Sequence, residues 1–464
     1  MKSFSELQLN YWDLAIICAI GVGVFFFTKL IYPPLIKWLK MKEYVGYDIH
    51  KHNRPETAES GGLGLAIGII VGLIAVGILY PVLWPETLIF IITVLIAAIV
   101  GWIDDRKQLS SLKKIVLMLV TGIPIFIANL YFIKFVDVQS PILPILGRLQ
   151  LNIIYPLVLP FIIMILTNTV NMLEGYNGEG SGTTSIATIF MVIAALMVGS
   201  SEGVLFGVPI AAALLAFYYF NKFPAKVFPG DIGTLVIGAS IGLLGIFGSL
   251  EMVMMLVMLP QIFNSFYYIA SVRGFTESHD LAKKDIFILQ DKDSSIDYIY
   301  ASDEHKAPIT LPRLIIATGR LSEKSLVNHF MVLSVISGLF AIITTQWILP
   351  SSRVNVVLSC ILIAVCVIGI TVMLKKYRQV RGITYIMILV LFIGIGILSF
   401  IKIFVIESII NWLIGGFLGV LTLAAWYFIT VWYFWYEIKI MKQKKGFISA
   451  EVMSPPVDPS HENS

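Results

Sequence analysis

Charge is scarce in this chain: 33 Lys and Arg and 29 Asp and Glu make up 13% of 464 residues, against 58% hydrophobic. Soluble domains carry about a quarter charged residues, so that class is excluded. The formal net charge of +4 gives no basic stripe for a nucleic acid, and none is expected as a partner. Only three cysteines occur, Cys18, Cys360 and Cys366, all in apolar stretches, which excludes a disulfide framework or a thiolate metal centre. No Cys/His ligand spacing is present either, which sets zinc aside. The first apolar run lacks both a basic leader and a small-residue cleavage site, with Ser3, Glu6 and Asp13 ahead of or inside its start. It therefore reads as a retained helix and not a signal peptide. No internal repeat is visible.

What the chain has in quantity is apolar runs of about 20 residues, enough to cross a bilayer core of about 30 Å. Thirteen are expected: 12–33, 62–82, 86–103, 115–133, 152–170, 184–200, 203–220, 232–249, 252–272, 327–350, 354–374, 383–406 and 410–437. Lipid offers nothing to bond backbone polar groups, so runs of this length must be helices and a β-barrel is excluded. The fold class is all-α, a polytopic transmembrane helical bundle.

Threading these spans with the N-terminus outside leaves only Lys2, Lys134, Arg148 and Arg353 as external basic residues. The remaining loop cations fall inside, as the positive-inside bias requires. The same threading puts every polar, motif-like stretch on the cytoplasmic side: DIHKHNRPETAESGG (48–62), GWIDDRKQLSSLKK (101–114), TNTVNMLEGYNGEGSG (167–182), NKFPAKVFPGDIGT (221–234) and the long segment 273–325. Five polar segments converging on one face suggest a site fed by a soluble polar substrate on one side and by lipid on the other.

Asp104 and Asp105 close the third span. Adjacent carboxylates at a membrane edge repel each other and are costly unless a cation or a proton transfer uses them, or Arg106 and Lys107 neutralise a solvated helix end. Lys114 follows a helix cap at Ser110 or Ser111. Its ammonium adds to the positive helix end, which suits a pyrophosphate, although a positive-inside anchor explains its position equally. Asn168 and Asn171 share a face if the fifth helix continues that far. Amide oxygens are neutral ligands for Mg²⁺, and Gly175, Asn177, Gly178, Gly180 and Gly182 allow close backbone approach; helix termination with a loose turn is the plainer reading. Asp231, after Pro229 and Gly230, is either an N-cap or part of the oxygen-rich cluster that a hard cation favours. Gly64, Gly68 and Gly72 read as helix packing, and Trp426, Trp432 and Trp435 as interfacial aromatics.

Taken in order, GYDIHKHNRPETAESGG, GWIDDRKQLSSLKK, TNTVNMLEGYNGEG, PAKVFPGDIGT and PQIFNSFYY resemble the polyprenyl-phosphate N-acetylhexosamine-1-phosphate transferases. Within them the pattern looks most like the eukaryotic and archaeal enzymes that make dolichyl-pyrophosphate GlcNAc. The resemblance covers about residues 10 to 350. It implies a ten-helix transferase core (1–350); beyond what the family leads one to expect, hydropathy gives about three additional C-terminal transmembrane helices (351–445) without an assigned chemistry, and composition a disordered tail (446–464). The resemblance implies that Asn171 and Asp231 bind Mg²⁺, that Lys114 holds the pyrophosphate, and that Gly175 and Phe228 sandwich a uracil whose edge meets Asn177. Asn168 and Arg313 join the nucleotide-sugar set, and Asp104, Asp105 and Glu59 the catalytic one. The substrates implied are a UDP-N-acetylhexosamine and a polyprenyl or dolichyl phosphate, and a homodimer is compatible with them. The setting implied is a prokaryotic, archaeal plasma membrane with the site on the cytoplasmic face, or the ER membrane in a eukaryote. KAPITLPRL (306–314) departs from the family: Thr310 and Leu311 stand where histidine or arginine is expected, Arg313 remains, and His305, Lys306 or Arg273 are the other candidates for that role. The alternative class is a multi-span transporter or lipid-linked sugar flippase.

Overall fold

A computed structural model describes residues 9–51, 53–107, 109–132, 136, 138–144, 147–148, 154–274, 283–290, 297–349, 355–404 and 409–443. The tail 446–464, expected to be disordered, lies outside them. Helix α1 (Tyr11–Met41) leads into a hairpin of β1 (Val45–Tyr47) and β2 (Glu56–Ala58), then α2 (Gly62–Leu79), α3 (Trp84–Lys107), α4 (Ser111–Thr121) and α5 (Ile123–Tyr131). A small hairpin, β3 (Ile142–Leu143) with β4 (Gly147–Arg148), precedes α6 (Ile154–Leu173), α7 (Glu179–Val198), α8 (Ser201–Asn221), α9 (Gly230–Phe247), α10 (Glu251–Val257) and α11 (Leu259–Val272). The last polar segment holds β5 (Ile286–Gln290), β6 (Asp297–Ala301), α12 (Leu311–Ile316) and β7 (Leu321–Ser322), with β6 between β5 and β7 in an antiparallel sheet. Four long helices finish the chain: α13 (Glu323–Ile348), α14 (Val356–Lys376), α15 (Arg381–Phe404) and α16 (Ile409–Lys442).

Twelve helical segments among the described residues are long and apolar enough to cross a membrane, with α4 and α5 together forming one of them. The pair α10 and α11, bent by 68°, makes a thirteenth if counted as one span. The thirteen expected spans thus correspond one to one, and the chain is an integral membrane protein. Asp13, weighed above against a signal peptide, has a local job. It completes a capping box with Asn10, whose side chain accepts the Trp12 and Asp13 N–H groups while Asp13 accepts the Asn10 N–H.

The bundle is built around α8 and α9, 78% and 83% buried along their spans, whereas α14 is 11% buried and lies outermost. Helix α9 packs against α3 and α6, and α8 against α1 and α7. Small residues make this possible. A Cβ on Gly238 of α9 would lie 2.4 Å from the Thr167 Cα of α6, and one on Gly62 of α2 would lie 2.0 Å from the Gly233 nitrogen of α9. In lipid the gain from burying apolar side chains between helices is weak, so close backbone contact carries more of the packing energy. The stripe Gly64, Gly68 and Gly72 of α2 likewise meets Tyr32 and Leu35, Thr28, and Pro209 with Val24 of α1 and α8. Trp426 departs from its expected interfacial role: it is buried, and its Nε1 donates to the Tyr267 hydroxyl at 2.9 Å. An indole N–H inside a bundle needs such a partner.

Gly238→Ala should lower the thermal midpoint of the detergent-solubilised protein. The methyl meets backbone and not a flexible side chain, so about 1–3 kcal/mol of overpacking is expected. Ala at Gly394, whose Cβ meets nothing within 4 Å, serves as the unaffected control in the same thermal scan.

Candidate active site

At the polar end of the bundle, four helix ends and one hairpin meet. Ser110 caps α4 in an extended conformation and places Lys114 in the first turns, where its own N–H donates to the Ser110 carbonyl at 3.0 Å. The Lys114 ammonium lies 2.7 Å from Asp104 and 3.2 Å from Asp231. Helix α6 continues through Asn171 to Leu173, so the two asparagines are helical. Asn171 donates to the Asp231 carboxylate and, at 2.9 Å, to the Thr234 hydroxyl.

Asp231 is not the N-cap of α9. Pro229 holds that position, and Asp231 sits inside the first turn. The cap function comes from across the bundle: Asp105 accepts the Asp231 backbone N–H at 2.6 Å and the Ser60 hydroxyl at 2.8 Å. A carboxylate facing exposed N–H groups at a positive helix end is favourable on both counts. Gly230 is required at this junction. Its φ is +63°, and a Cβ would lie 2.6 Å from an Asp105 carboxylate oxygen.

The hairpin is held beside α9 by a strand-like contact. Phe228 donates its N–H to the Ala58 carbonyl at 2.8 Å, and Gly61 donates to the Phe228 carbonyl at 2.8 Å. Phe228 and Glu59 are thereby brought to one wall. The turn after α6 forms the opposite wall, with left-handed Gly178 starting α7. Between them is a cavity of about 320 Å³ lined by Glu59, Asp105, Asn171, Gly175, Asn177, Phe228 and Asp231, among others.

The polar groups here are not all at ease. Burial raises the Glu59 carboxyl above its ordinary value, the negative Asp231 raises it further, and Arg106 opposes both. Burial pushes Glu174 up to about 8. His50, stacked on Tyr176 with ring centres 4.4 Å apart, is lowered to about 4, chiefly by burial, and is neutral at pH 7. Asn177 donates its amide to Asp48 at 2.8 Å and its N–H to Glu323 at 2.8 Å, while its Oδ1 is buried and has no partner. An orphaned acceptor in a cavity wall is suited to a ligand N–H or O–H.

Of the residues predicted from sequence, Asp104, Asp105, Lys114, Asn171 and Asp231 form one connected cluster, and Glu59, Gly175, Asn177 and Phe228 line the cavity beside it. Two others are placed elsewhere. Asn168 lies off the cavity with its amide on the Met172 sulfur at 3.2 Å. Arg313 is 1% exposed and outside the lining, its guanidinium donating to the carbonyls of Ser302, Glu304, Ala307 and Pro308. The nearest carbonyls satisfy its donors, leaving none for a ligand. Sequence reasoning missed Asp48, Ser60, Thr234 and Glu323. All four stand within segments already marked as polar, Glu323 near the end of 273–325, where it heads α13 with no motif around it.

Among the described residues no group of three or more His, Cys, Asp or Glu has metal-binding geometry. The donors around Asp231 are hard oxygens, and three carboxylates, Asp104, Asp105 and Asp231, gather beside the ammonium of Lys114. That residual negative charge would repel a diphosphate. The arrangement fits a cation bound by one or two protein oxygens and completed by phosphate, as Mg²⁺ commonly is.

Residues 87–249 match the family model for glycosyl transferase family 4. The chain is similar to a putative glycosyltransferase of Methanocaldococcus jannaschii, 29% identical over 322 residues, 69% of this chain and 93% of that protein. It is similar to a putative UDP-N-acetylglucosamine–dolichyl-phosphate N-acetylglucosaminephosphotransferase of Saccharolobus solfataricus, 31% identical over 258 residues, 54% of this chain and 76% of the relative. It is also similar to a phospho-N-acetylmuramoyl-pentapeptide-transferase of Shouchella clausii, 29% identical over 259 residues, 54% of this chain and 79% of the other.

A carboxyl whose value is raised on folding keeps its proton in the folded state after the unfolded chain has lost it. Stability must then fall as pH rises from the ordinary 4.5 to about 8 at Glu174. Melting the wild type and Glu174→Gln between pH 4.5 and 8.5 should show a shallower decline in the variant. Equal slopes would remove Glu174 as the source.

Proposed function

The chain belongs to glycosyl transferase family 4, and we propose that it transfers N-acetylhexosamine 1-phosphate, GlcNAc 1-phosphate foremost, from a UDP-sugar to a polyprenyl or dolichyl phosphate. It is an integral membrane phosphotransferase. The observation that carries the reading is the meeting of Lys114, Asp231 and Asn171 beside a cavity with a planar apolar side chain, Phe228, and an unpaired acceptor, Asn177 Oδ1.

In the proposed reaction an oxygen of the lipid phosphate attacks the β-phosphorus of the UDP-sugar. A new P–O bond forms, the bond from that phosphorus to the bridging oxygen breaks, and UMP leaves with the electron pair. The nucleophile is already an anion, so the barrier lies mainly in bringing negative groups together and stabilising the leaving phosphate. Lys114 supplies positive charge next to Asp231, and Asp104 holds its ammonium in place. Asp105 fixes the start of α9, which orients Asp231. Asp231 and Asn171 would hold Mg²⁺, which when bound supplies further positive charge to the diphosphate. Phe228 and Gly175 bound the slot for the base, and Asn177 Oδ1 would accept its N–H. Glu59, whose carboxyl is raised above its ordinary value by burial, lines the cavity within the catalytic set.

The positive-inside bias of the loops supports a cytoplasmic-face site, and the proposed setting is the plasma membrane of a prokaryotic, archaeal cell, or the ER membrane in a eukaryote. The product, a lipid-linked pyrophosphoryl sugar, would begin assembly of a lipid-linked glycan for protein glycosylation or a surface polymer. A transporter is less favoured, because its charged groups would be expected near the bilayer midplane rather than gathered at helix ends.

Purified protein given Mg²⁺, a polyprenyl phosphate and a panel of labelled UDP-sugars should release UMP with UDP-GlcNAc, and EDTA should stop it. Asp231→Ala and Asn171→Ala should each reduce turnover by at least about 100-fold while eluting as folded protein. Near-normal Mg²⁺-dependent turnover in both variants would falsify the metal assignment.

A further inference from the structure

The motif PQIFNSFYY and the C-terminal helices have so far no part in the reaction. The structure joins them. Asn264, at the centre of the motif on α11, is 3% exposed and bridges two segments: its Nδ2 donates to the Met172 carbonyl at 3.0 Å, and its Oδ1 accepts the Leu311 N–H at 2.9 Å. Met172 adjoins Asn171, and Leu311 begins α12.

Helix α16 holds both sides of that bridge. On the α11 side, Trp426 stacks on Phe266 with ring centres 4.1 Å apart and donates to the Tyr267 hydroxyl, which also accepts from Thr430 at 3.2 Å. On the α12 side, the Arg313 guanidinium lies 4.4 Å from the Phe434 ring centre, His305 stacks on Trp435 at 3.9 Å, and Lys442 pairs with Asp303 at 2.7 Å. Arg313 itself gathers the carbonyls of residues 302–308, so one cation sets the fold of the whole turn and docks it on aromatic rings. The loop between α14 and α15 adds a hold from another direction, Gln379 donating to the Gly319 carbonyl at 2.9 Å. Four residues later Glu323 accepts the Asn177 N–H.

We propose that α16 is a brace that positions the nucleotide-sugar cavity, acting through Asn264 on the Asn171 helix end and through Glu323 on the Asn177 turn. Trp435, Phe434, Arg313 and Asn264 are positioning residues and touch no reacting atom. Two separate routes run from the braced segment to the cavity wall: one ends on the Met172 carbonyl in the last turn of α6, the other on the Asn177 N–H in the turn that follows. The kinetic part of the proposal rests on the transferase reading; the mechanical part does not.

The test uses the full chain with Trp435→Ala, Trp435→Phe and Asn264→Asp. Amide hydrogen exchange should accelerate by about 10-fold or more in Trp435→Ala, both over 302–316 and over 172–178, and return close to wild type in Trp435→Phe. KM for UDP-GlcNAc should rise about 5-fold or more in Trp435→Ala with kcat held within about 2-fold, a split that general loss of folded protein does not produce. Asn264→Asp keeps the acceptor for Leu311 and loses the donation to Met172, so KM should rise with 302–316 still protected. Faster exchange confined to 302–316, or no recovery with Phe, overturns the brace. Wild-type protein that turns over no UDP-sugar would defeat the transferase reading alone, since the exchange comparison still decides the mechanical claim.

Discussion

One ammonium shared between two carboxylates decides how the polar end of this bundle is assembled. Lys114 of α4 lies against Asp104 of α3 and Asp231 of α9, and removing the lysine leaves two partly buried carboxylates without their counterpart. The adjacent Asp105 does different work because successive residues on a helix point about 100° apart. It turns to the start of α9 and to Ser60, ordering backbone and not the lysine. Neighbouring aspartates thus serve two structural purposes at once. The first sets the position of a cation and the second the position of the carboxylate that cation meets.

Packing below the site serves the same end. Helix α9 can lie at the centre only because glycines admit α2 and α6 to backbone contact, and this depth puts Asp231 at the floor of the cavity. The cost appears in the electrostatics. Glu59 and Glu174 are both biased toward neutrality by burial, so the folded chain keeps carboxyls where an apolar wall would be more stable. Such local conflict is characteristic of functional surfaces, where a ligand supplies the missing partner.

The spans were legible from hydropathy because the bilayer leaves helices as the only solution for long apolar runs. Most of the cluster was legible as well. Asp104, Asp105, Lys114, Asn171 and Asp231 are polar residues at apolar helix ends, and their cost marks them. Glu323 was not visible, since a glutamate in the first turn of a helix is common and favourable for reasons unrelated to a site. Asn168 shares a helix face with Asn171, but helical spacing places side chains relative to one another and says nothing about where the cavity wall ends. Trp426 is misassigned when read together with Trp432 and Trp435; it lies in the middle of α16, where its tertiary partner, Tyr267, holds it inside the bundle.

Arg313 shows the same limit for charge. A guanidinium has five donors in a rigid fork, and phosphate oxygens or main-chain carbonyls satisfy it equally well, so sequence cannot choose between them. The choice here is made by supply: Ser302, Glu304, Ala307 and Pro308 turn their carbonyls to the guanidinium, and α16 offers a ring for its face. The unusual residues beside it then make sense. Thr310 caps α12 and donates to Asp285 at 2.6 Å, and Leu311 is fully buried with its N–H on Asn264. Charged side chains at those two positions would have to enter an interior already closed by α11 and α16. Thr310 and Leu311 and the packing of α16 on this segment are therefore one physical fact: a segment that packs against another helix needs caps and apolar contacts where a free loop could present cations.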